Sequence, residues 1–300
     1  MKNNLILLSA FILIIILGCF HIAKKETYSK ENIISLINGN TKLFAPFKIK
    51  NEIPNLEASI ASSVLLNGNK KIILYEKNIE EKTAIASLTK LMTAVIVIDN
   101  YPLDSKILID EEMLKAWGTS GSLKLGEHVI IEDLLYIMLI ESSNDAAECL
   151  ASKLDRNNFM ILMNEKAKKL KMKSTYFVNP SGLDEADGKY NTSSAKDLTI
   201  LVSEIIKNYP IIKDILSKSE HYFVSEEGIS HKITNTNILL KEIPYETWGK
   251  TGYTEKANGC LILMTKDPLG DIIINIIINS NDRFNEMKNL TNWTTNAFSF

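Results

Sequence analysis

The feature that most narrows the fold is where the strand-like runs lie, near the two ends of the chain with helical periodicity between them. Ser59–Leu66 and Lys71–Tyr75 are short, apolar and β-branched, and Asn67-Gly68-Asn69-Lys70 separates them. Asn-Gly between two such runs signals a tight hairpin. Cys260–Thr265 and Ile272–Ile278 are a second pair, joined by Asp267-Pro268-Leu269-Gly270, which is a turn by composition. Between the pairs, apolar residues recur at helical spacing over Leu88–Asp99, Ile131–Ile140, Asn144–Leu154, Asn158–Leu170 and Asp197–Asn208, the last stopped by Pro210. A further helix is expected over Arg283–Ala297. Strands drawn from both ends of the chain predict one antiparallel sheet with a helical subdomain inserted, a layered α+β class.

Composition limits the chemistry. The 300 residues are 45% apolar and 23% charged with a net charge of −2, enough for a large core and unlike a disordered chain. Lys and Arg are not concentrated with interleaved aromatics, so nucleic acid is not an expected partner. Three cysteines (Cys19, Cys149, Cys260) without a CxxC pair give neither a disulfide framework nor a zinc site, and four scattered histidines offer little for a metal. Cys149 and Cys260 sit in apolar contexts where small buried thiols are the default.

The first 25 residues point to export. Leu5–Phe20 is uncharged and almost wholly apolar, with Lys2 before it and Lys24-Lys25 after it, the layout of a signal peptide. A permanent span needs roughly 17–25 apolar residues, so an uncleaved anchor is a second option. Ile16-Leu17-Gly18-Cys19 resembles a lipobox, which makes a lipidated Cys19 the third. Residues 26–56 read as a polar spacer that holds the domain at 57–300 off the membrane surface.

Three short motifs carry chemistry. In Ser87-Leu88-Thr89-Lys90, helical spacing puts hydroxyl and amine on one face. A lysine whose pKa is lowered from about 10.4 can deprotonate the serine. A Ser N-cap followed by Lys is the ordinary alternative, and Ser193-Ser194-Ala195-Lys196 repeats the pattern. Ser142-Ser143-Asn144 lies between two helical segments, where a loop can present a relay hydroxyl and a substrate-binding amide, or simply cap the next helix. Lys250-Thr251-Gly252, followed by Tyr253, sets a cation and a hydroxyl on a strand edge suited to a carboxylate. The Tyr253 N–H beside the Ser87 N–H is a two-donor oxyanion hole in prospect. An exposed lysine before a turn is the plainer reading.

Taken in order, Ser-x-x-Lys, Ser-x-Asn and Lys-Thr-Gly resemble the penicillin-binding proteins and active-site serine β-lactamases. The flanking residues Ala86–Ala94, Ser142–Ala147 and Lys250–Ala257 are similar to the low-molecular-mass D-alanyl-D-alanine carboxypeptidases. So are Gly126-Glu127, Glu132–Leu135, Asn179–Asp184 and Arg283–Glu286. The likeness runs from about Ser59 to Trp293. It implies a β-lactamase/transpeptidase-like fold, with a five-stranded antiparallel sheet flanked by helices and an all-helical subdomain. It also implies a cofactor-free serine acyltransferase acting on peptidoglycan stem peptides and trapped by β-lactams. Under the resemblance Ser87 is the nucleophile, Lys90 the base and Ser142, with Lys250, the relay to the departing D-alanine. Asn144, Lys250, Thr251, Gly252, Tyr253 and Arg283 face substrate, and Ser193-x-x-Lys196 is only a helix cap. Lys250 is expected to lower the Lys90 pKa by like-charge repulsion. The chain stops soon after its last helix, so an N-terminal tether is expected in place of a C-terminal one.

Two rivals remain. A class A β-lactamase needs a glutamate that activates the deacylating water, and Glu204-x-x-x-Asn208 has a suitable spacing inside an ordinary amphipathic helix. A β-lactam sensor or wall-binding module on the same fold is the other, although it has no need to keep Ser87, Lys90, Ser142 and Lys250 together unless it acylates slowly.

Overall fold

Gly68, at φ +56°, turns Ile60–Asn67 (β1) back onto Lys70–Lys77 (β2) with Asn67 opposite Lys70, the hairpin that Asn-Gly predicts. In the computed structural model the described residues are 46–50, 53–68, 70–115, 123–267 and 270–299. The N-terminal apolar run, Cys19 and most of the spacer lie outside them. The chain divides into Met1–Phe47 and Lys48–Phe300, and the architecture described is that of the second unit.

Glu220–Val224 (β3) and Ser230–Thr234 (β4) form a separate two-stranded hairpin. Thr247–Thr254 (β5), Asn258–Lys266 (β6) and Ile272–Ser280 (β7) join the first pair in one antiparallel sheet of order β5-β6-β7-β1-β2. Closure from both ends is direct, because β7 pairs β1 with Ile278 opposite Ile60 and Ile272 opposite Leu66. The near-continuous apolar runs of β6 and β7 have a physical reason. Ile262, Met264, Ile274, Ile276 and Ile278 enter the main core on one face, while Leu261, Leu263 and Ile277 join Leu56, Ala58, Met287 and Leu290 on the other. A sheet covered on both faces has no polar side to alternate.

The second face is covered by the terminal helix, Arg283–Ala297, capped by Asp282, whose carboxylate accepts from the Asn285 N–H at 3.3 Å. The other helices are Lys90–Asn100 (α1), Ile131–Tyr136 (α2), Asn144–Ser152 (α3), Arg156–Lys169 (α4), Ala195–Asn208 (α5) and Pro210–Leu216 (α6); the terminal helix is α7. Helix α5 packs on β7 and β1, α6 packs on β5, and α1 to α4 pack among themselves in the same core. Leu91, Met92, Ala94, Val95, Ile96 and Val97 of α1 are all buried, so this helix is apolar around its circumference and forms the axis of the domain. Pro210 both ends α5 and opens α6, where its missing N–H costs nothing. That second helix and the β3–β4 hairpin extend the architecture beyond the sequence expectations.

Two departures from regular helix bear on the site. Leu88–Asp99 is not one helix, because Ala86–Thr89 is a 3₁₀ turn that runs into α1. Ile131–Ile140 changes from α-helix to a π turn over Ile137–Glu141, a local widening that re-aims the residues after it.

Candidate active site

Ser87 stands on the 3₁₀ turn between two close backbones. Ala86, just before it, has φ +46°, a strained setting for a residue with a Cβ. Gly182, at φ +90°, lies so close that a Cβ there would stand 2.1 Å from the Ala86 carbonyl oxygen. On the edge strand β5, a Cβ at Gly252 would stand 3.1 Å from the Ser87 nitrogen. The serine turn is clamped between a loop and a strand edge, an approach that only glycine permits at 182 and that leaves little room for a Cβ at 252.

Lys90, one turn on, is fully buried, with Nζ 2.9 Å from Ser87 Oγ, 2.7 Å from Asn144 Oδ1 and 2.6 Å from the Ser181 carbonyl oxygen. Two of these partners only accept, so Nζ donates to them. A neutral amine has two N–H donors and one lone pair, and the lone pair then meets the Ser87 hydroxyl. Burial, followed by the positive charge of Lys250, drives the Lys90 pKa well below the ordinary lysine value, with Glu148 opposing. Desolvation therefore leads, and the like-charge repulsion inferred from sequence is second to it.

Ser142 has φ +66° and ψ +28° at the end of the π turn, and its Oγ accepts from Lys250 Nζ at 2.7 Å. The capping alternative falls to its neighbour, because Ser143 Oγ accepts from the Ala146 N–H at 3.1 Å and starts α3. Ser142 and Asn144 are thereby left for Lys250 and Lys90. Lys250 is buried, also donates to the Thr251 carbonyl at 3.0 Å, and has its pKa lowered to about 7 by burial and then by Arg283. Tyr253 is exposed, and the Arg283 guanidinium lies 6.0 Å from its ring centroid and 4.7 Å from that of Phe284. Every residue singled out in the three motifs, with Arg283, thus gathers about the Ser87 turn and the edge of β5.

The sequence reading missed the support beneath these groups. Asn179 Oδ1 accepts from the Gly182 N–H at 2.7 Å, and Asn191 Nδ2 donates to the Asn179 carbonyl and to Thr89 Oγ1, both at 2.9 Å. Thr93 Oγ1 donates to the Pro180 carbonyl at 2.6 Å. These bonds hold the loop that offers the Ser181 carbonyl to Lys90. Thr236 Oγ1 lies 2.6 Å from Thr251 Oγ1 and fixes that hydroxyl at the strand edge. Asn179–Asp184 stood out only as a matching segment; a backbone carbonyl leaves no signature in a side-chain motif.

Other candidates separate from the site. Ser193 Oγ pairs with Thr175 Oγ1 at 2.7 Å, Lys196 pairs with Glu80 at 2.5 Å, and Ser194 rather than Ser193 caps α5 through the Asp197 N–H at 3.2 Å. Glu204 lies 4.0 Å from Lys166, which also binds Asp99 at 2.9 Å. Asp99 is nine residues along α1 from Lys90, about 13 Å by helical rise, so Glu204 is at the wrong end to activate water at Ser87. His231 pairs with the buried Glu127 at 2.8 Å. His128, Glu226 and Glu227 bring ligand atoms within 4.8 Å of one another. There His128 already bonds Glu227 at 2.7 Å and Lys106 pairs with Glu226 at 2.8 Å, so both carboxylates are engaged. Cys149 and Cys260 are free and buried, which raises both thiol pKa values, that of Cys260 to about 12.

The family model for D-alanyl-D-alanine carboxypeptidase matches residues 48–282. The chain belongs to the D-alanyl-D-alanine carboxypeptidase family. It is 34% identical over 212 residues to D-alanyl-D-alanine carboxypeptidase DacF of Bacillus subtilis, covering 68% of this chain and 54% of that protein. It is 34% identical over 221 residues to the D-alanyl-D-alanine endopeptidase of Escherichia coli, covering 71% of this chain and 68% of that one. Among solved structures, penicillin-binding protein D2 of Listeria monocytogenes in its cefotaxime-bound form superposes with a TM-score of 0.70 at 32% identity. That match covers 82% of this chain and 99% of the other. The penicillin-binding fold implied by the sequence motifs is therefore the fold of this family member, whereas its length spans only about half of the Bacillus relative.

Proposed function

We propose that this family member is a serine-type D-alanyl-D-alanine carboxypeptidase that removes the terminal D-alanine from peptidoglycan stem peptides through an ester on Ser87. The observation that carries the reading is the environment of Lys90. A buried amine with two obligate acceptors and one hydroxyl at 2.9 Å is set to take a proton, which a serine nucleophile requires.

In this reading Ser87 Oγ attacks the carbonyl of the penultimate D-alanine as its proton passes to Lys90. The oxyanion rests on the Ser87 and Tyr253 N–H groups, brought together by the close approach at Gly252. The C–N bond then breaks and the amine takes a proton through Ser142, supplied from Lys250 at 2.7 Å. Lys250, Thr251 and Arg283 face the terminal carboxylate, and Asn144 holds the acyl chain. Water cleaves the ester. A β-lactam places its own carbonyl and carboxylate on the same groups and leaves a slow acyl-enzyme. Export through the N-terminal 25 residues, with a signal, anchor or lipidated Cys19, sets the domain on the outer face of the membrane where that substrate is found.

The test uses the full chain in detergent, labelled with a fluorescent penicillin and mapped by peptide mass spectrometry, with Ser87→Ala and Ser193→Ala beside it. The expected result is a stable adduct on Ser87, lost only in Ser87→Ala, together with D-alanine release from a stem pentapeptide. A cross-linked dimer peptide is run in parallel, because the Escherichia coli relative is named an endopeptidase. Stable labelling without turnover of either peptide means a sensor, rapid penicilloate formation means a β-lactamase, and no adduct overturns the assignment.

A further inference from the structure

Glu148 lies one helical turn after Asn144 on the same face of α3, and its charge acts on Lys90. It does not stand alone. Arg156, the first residue of α4, donates from Nε to Glu148 at 2.9 Å and from a terminal nitrogen to Glu185 at 3.4 Å. Glu185 in turn accepts from Asn179 Nδ2 at 2.9 Å, and Asn179 is the residue that holds the Gly182 turn of the Ser181 loop. One guanidinium therefore bridges a carboxylate on α3, which also carries Asn144, and a carboxylate on the loop that carries the Ser181 carbonyl. Both segments contact Lys90.

We propose that Arg156 is a positioning residue for acylation, engaging Glu148 so that it does not become the counter-ion of Lys90 and bracing the Ser181 loop through Glu185. The inference rests on the reading of Lys90 as the base. Among the described residues, two charges act most on Lys90. Lys250 of β5 opposes its ammonium form and Glu148 of α3 favours it, while Arg283 of α7 acts on Lys250. On the neighbouring loop Asp184 is turned to Thr254 Oγ1 and the Lys256 N–H, and on α3 Asp145 bears on Cys149. A Glu148 carboxylate relieved of Arg156 pulls toward the protonated amine, the state that cannot accept from Ser87. Arg156 is about half exposed, so solvent weakens the effect without removing it.

The experiment is the pH dependence of Ser87 acylation by a fluorescent penicillin, on the full chain in detergent, for Arg156→Gln, Arg156→Lys, Glu148→Gln and the double Gln variant. The acid limb belongs to the Lys90–Lys250 pair together. Arg156→Gln is expected to move it to higher pH by about half a unit, a roughly threefold slower acylation below the limb. Glu148→Gln is expected to move it to lower pH, the double variant to follow Glu148→Gln, and Arg156→Lys to stay near the parent. Shifts of opposite sign are beyond a merely structural role, which slows acylation equally at all pH values. Glu148→Gln and Arg156→Lys change no backbone contact and keep the test valid if Arg156→Gln melts early. Unmoved limbs, or limbs that all move the same way, overturn the proposal; failure of the parent to acylate at Ser87 overturns instead the reading on which it rests.

Discussion

Replacing Gly182 by alanine tests whether the close approach of the Ser181 loop is what sets the nucleophile. The new Cβ would lie 2.1 Å from the Ala86 carbonyl oxygen, 2.5 Å from its carbon and 3.0 Å from the Ser87 nitrogen. Ordinary contact for such atoms begins above 3 Å, so loop and serine turn must part by about 1 Å, a misplacement that costs on the order of 100-fold in rate at a reacting centre. The positive φ of +90° adds a second cost, in the range of about 1–3 kcal/mol for a side chain held there. Gly126 separates the two effects. It has a similar φ of +84° but nothing within 4 Å of its would-be Cβ, so Gly126→Ala carries the backbone strain alone. Both variants are expected to melt a few degrees below the parent. Penicillin labelling of Ser87 in rapid-mixing experiments is expected to slow about 100-fold in Gly182→Ala and to stay within about twofold in Gly126→Ala. Parent-like acylation by Gly182→Ala, or an equal loss in both, refutes the argument from close approach.

Further outcomes follow from the same groups. Lys90 and Lys250 both have lowered pKa values in the folded protein. Between about pH 7 and the unfolded lysine value near 10.4, the unfolded chain binds more protons, so these groups make stability rise with pH across that window. Thermal unfolding of the parent is expected to shift upward from pH 7 to pH 9.5, and the shift to shrink in Lys250→Met; an unchanged slope refutes the assignment. Thr93→Val removes the buried bond to the Pro180 carbonyl and is expected to cost about 1–3 kcal/mol in denaturant unfolding, a parent-like midpoint counting against that bond as loop support. Ser142→Ala is expected to slow acylation about 100- to 10,000-fold with folding unchanged, the range of a lost proton relay. Stopped-flow labelling checks this, and a loss under tenfold removes Ser142 from the proton path.

The framework of the fold was legible because its signals were local and redundant. Asn67-Gly68 turns one hairpin, the apolar run of β7 needs cover on both faces, and α1 is apolar all round because it is the axis. What stayed hidden was either non-periodic or carried by backbone. The π turn before Ser142 has the same apolar spacing as the helix it interrupts, and the β3–β4 hairpin is too short and polar to stand out. Among the site residues, Ser87, Lys90, Ser142, Asn144 and Lys250 could be named because the chemistry resides in their side chains. The Ser181 carbonyl could not, since any residue type offers one. The repulsion of Lys90 by Lys250 was legible and is present, whereas the larger share that burial takes was not, because charge is visible in a sequence while depth is not. Ser87-x-x-Lys90 and Ser193-x-x-Lys196 are the same pattern in one dimension. Only the first places its lysine in the interior against Asn144 and Ser181, whereas Lys196 reaches an exposed glutamate.

That contrast identifies the property on which the site depends. A solvated lysine keeps its proton at neutral pH and is useless as a base, so a lysine base must lie deep, and depth demands partners that accept without charge. An amide oxygen and a backbone carbonyl meet the demand, whereas a carboxylate would restore the ammonium. Lys250 strengthens the same bias, because two buried amines this close resist being charged together. With Lys250 lowered to about 7 and the Lys90 pKa lowered as well, both amines are biased toward the neutral form, Lys90 beside the Ser87 hydroxyl and Lys250 beside that of Ser142. Strain at Ala86 and Ser142 is the backbone's share of the arrangement, turning two hydroxyls toward amines that the rest of the fold keeps dry.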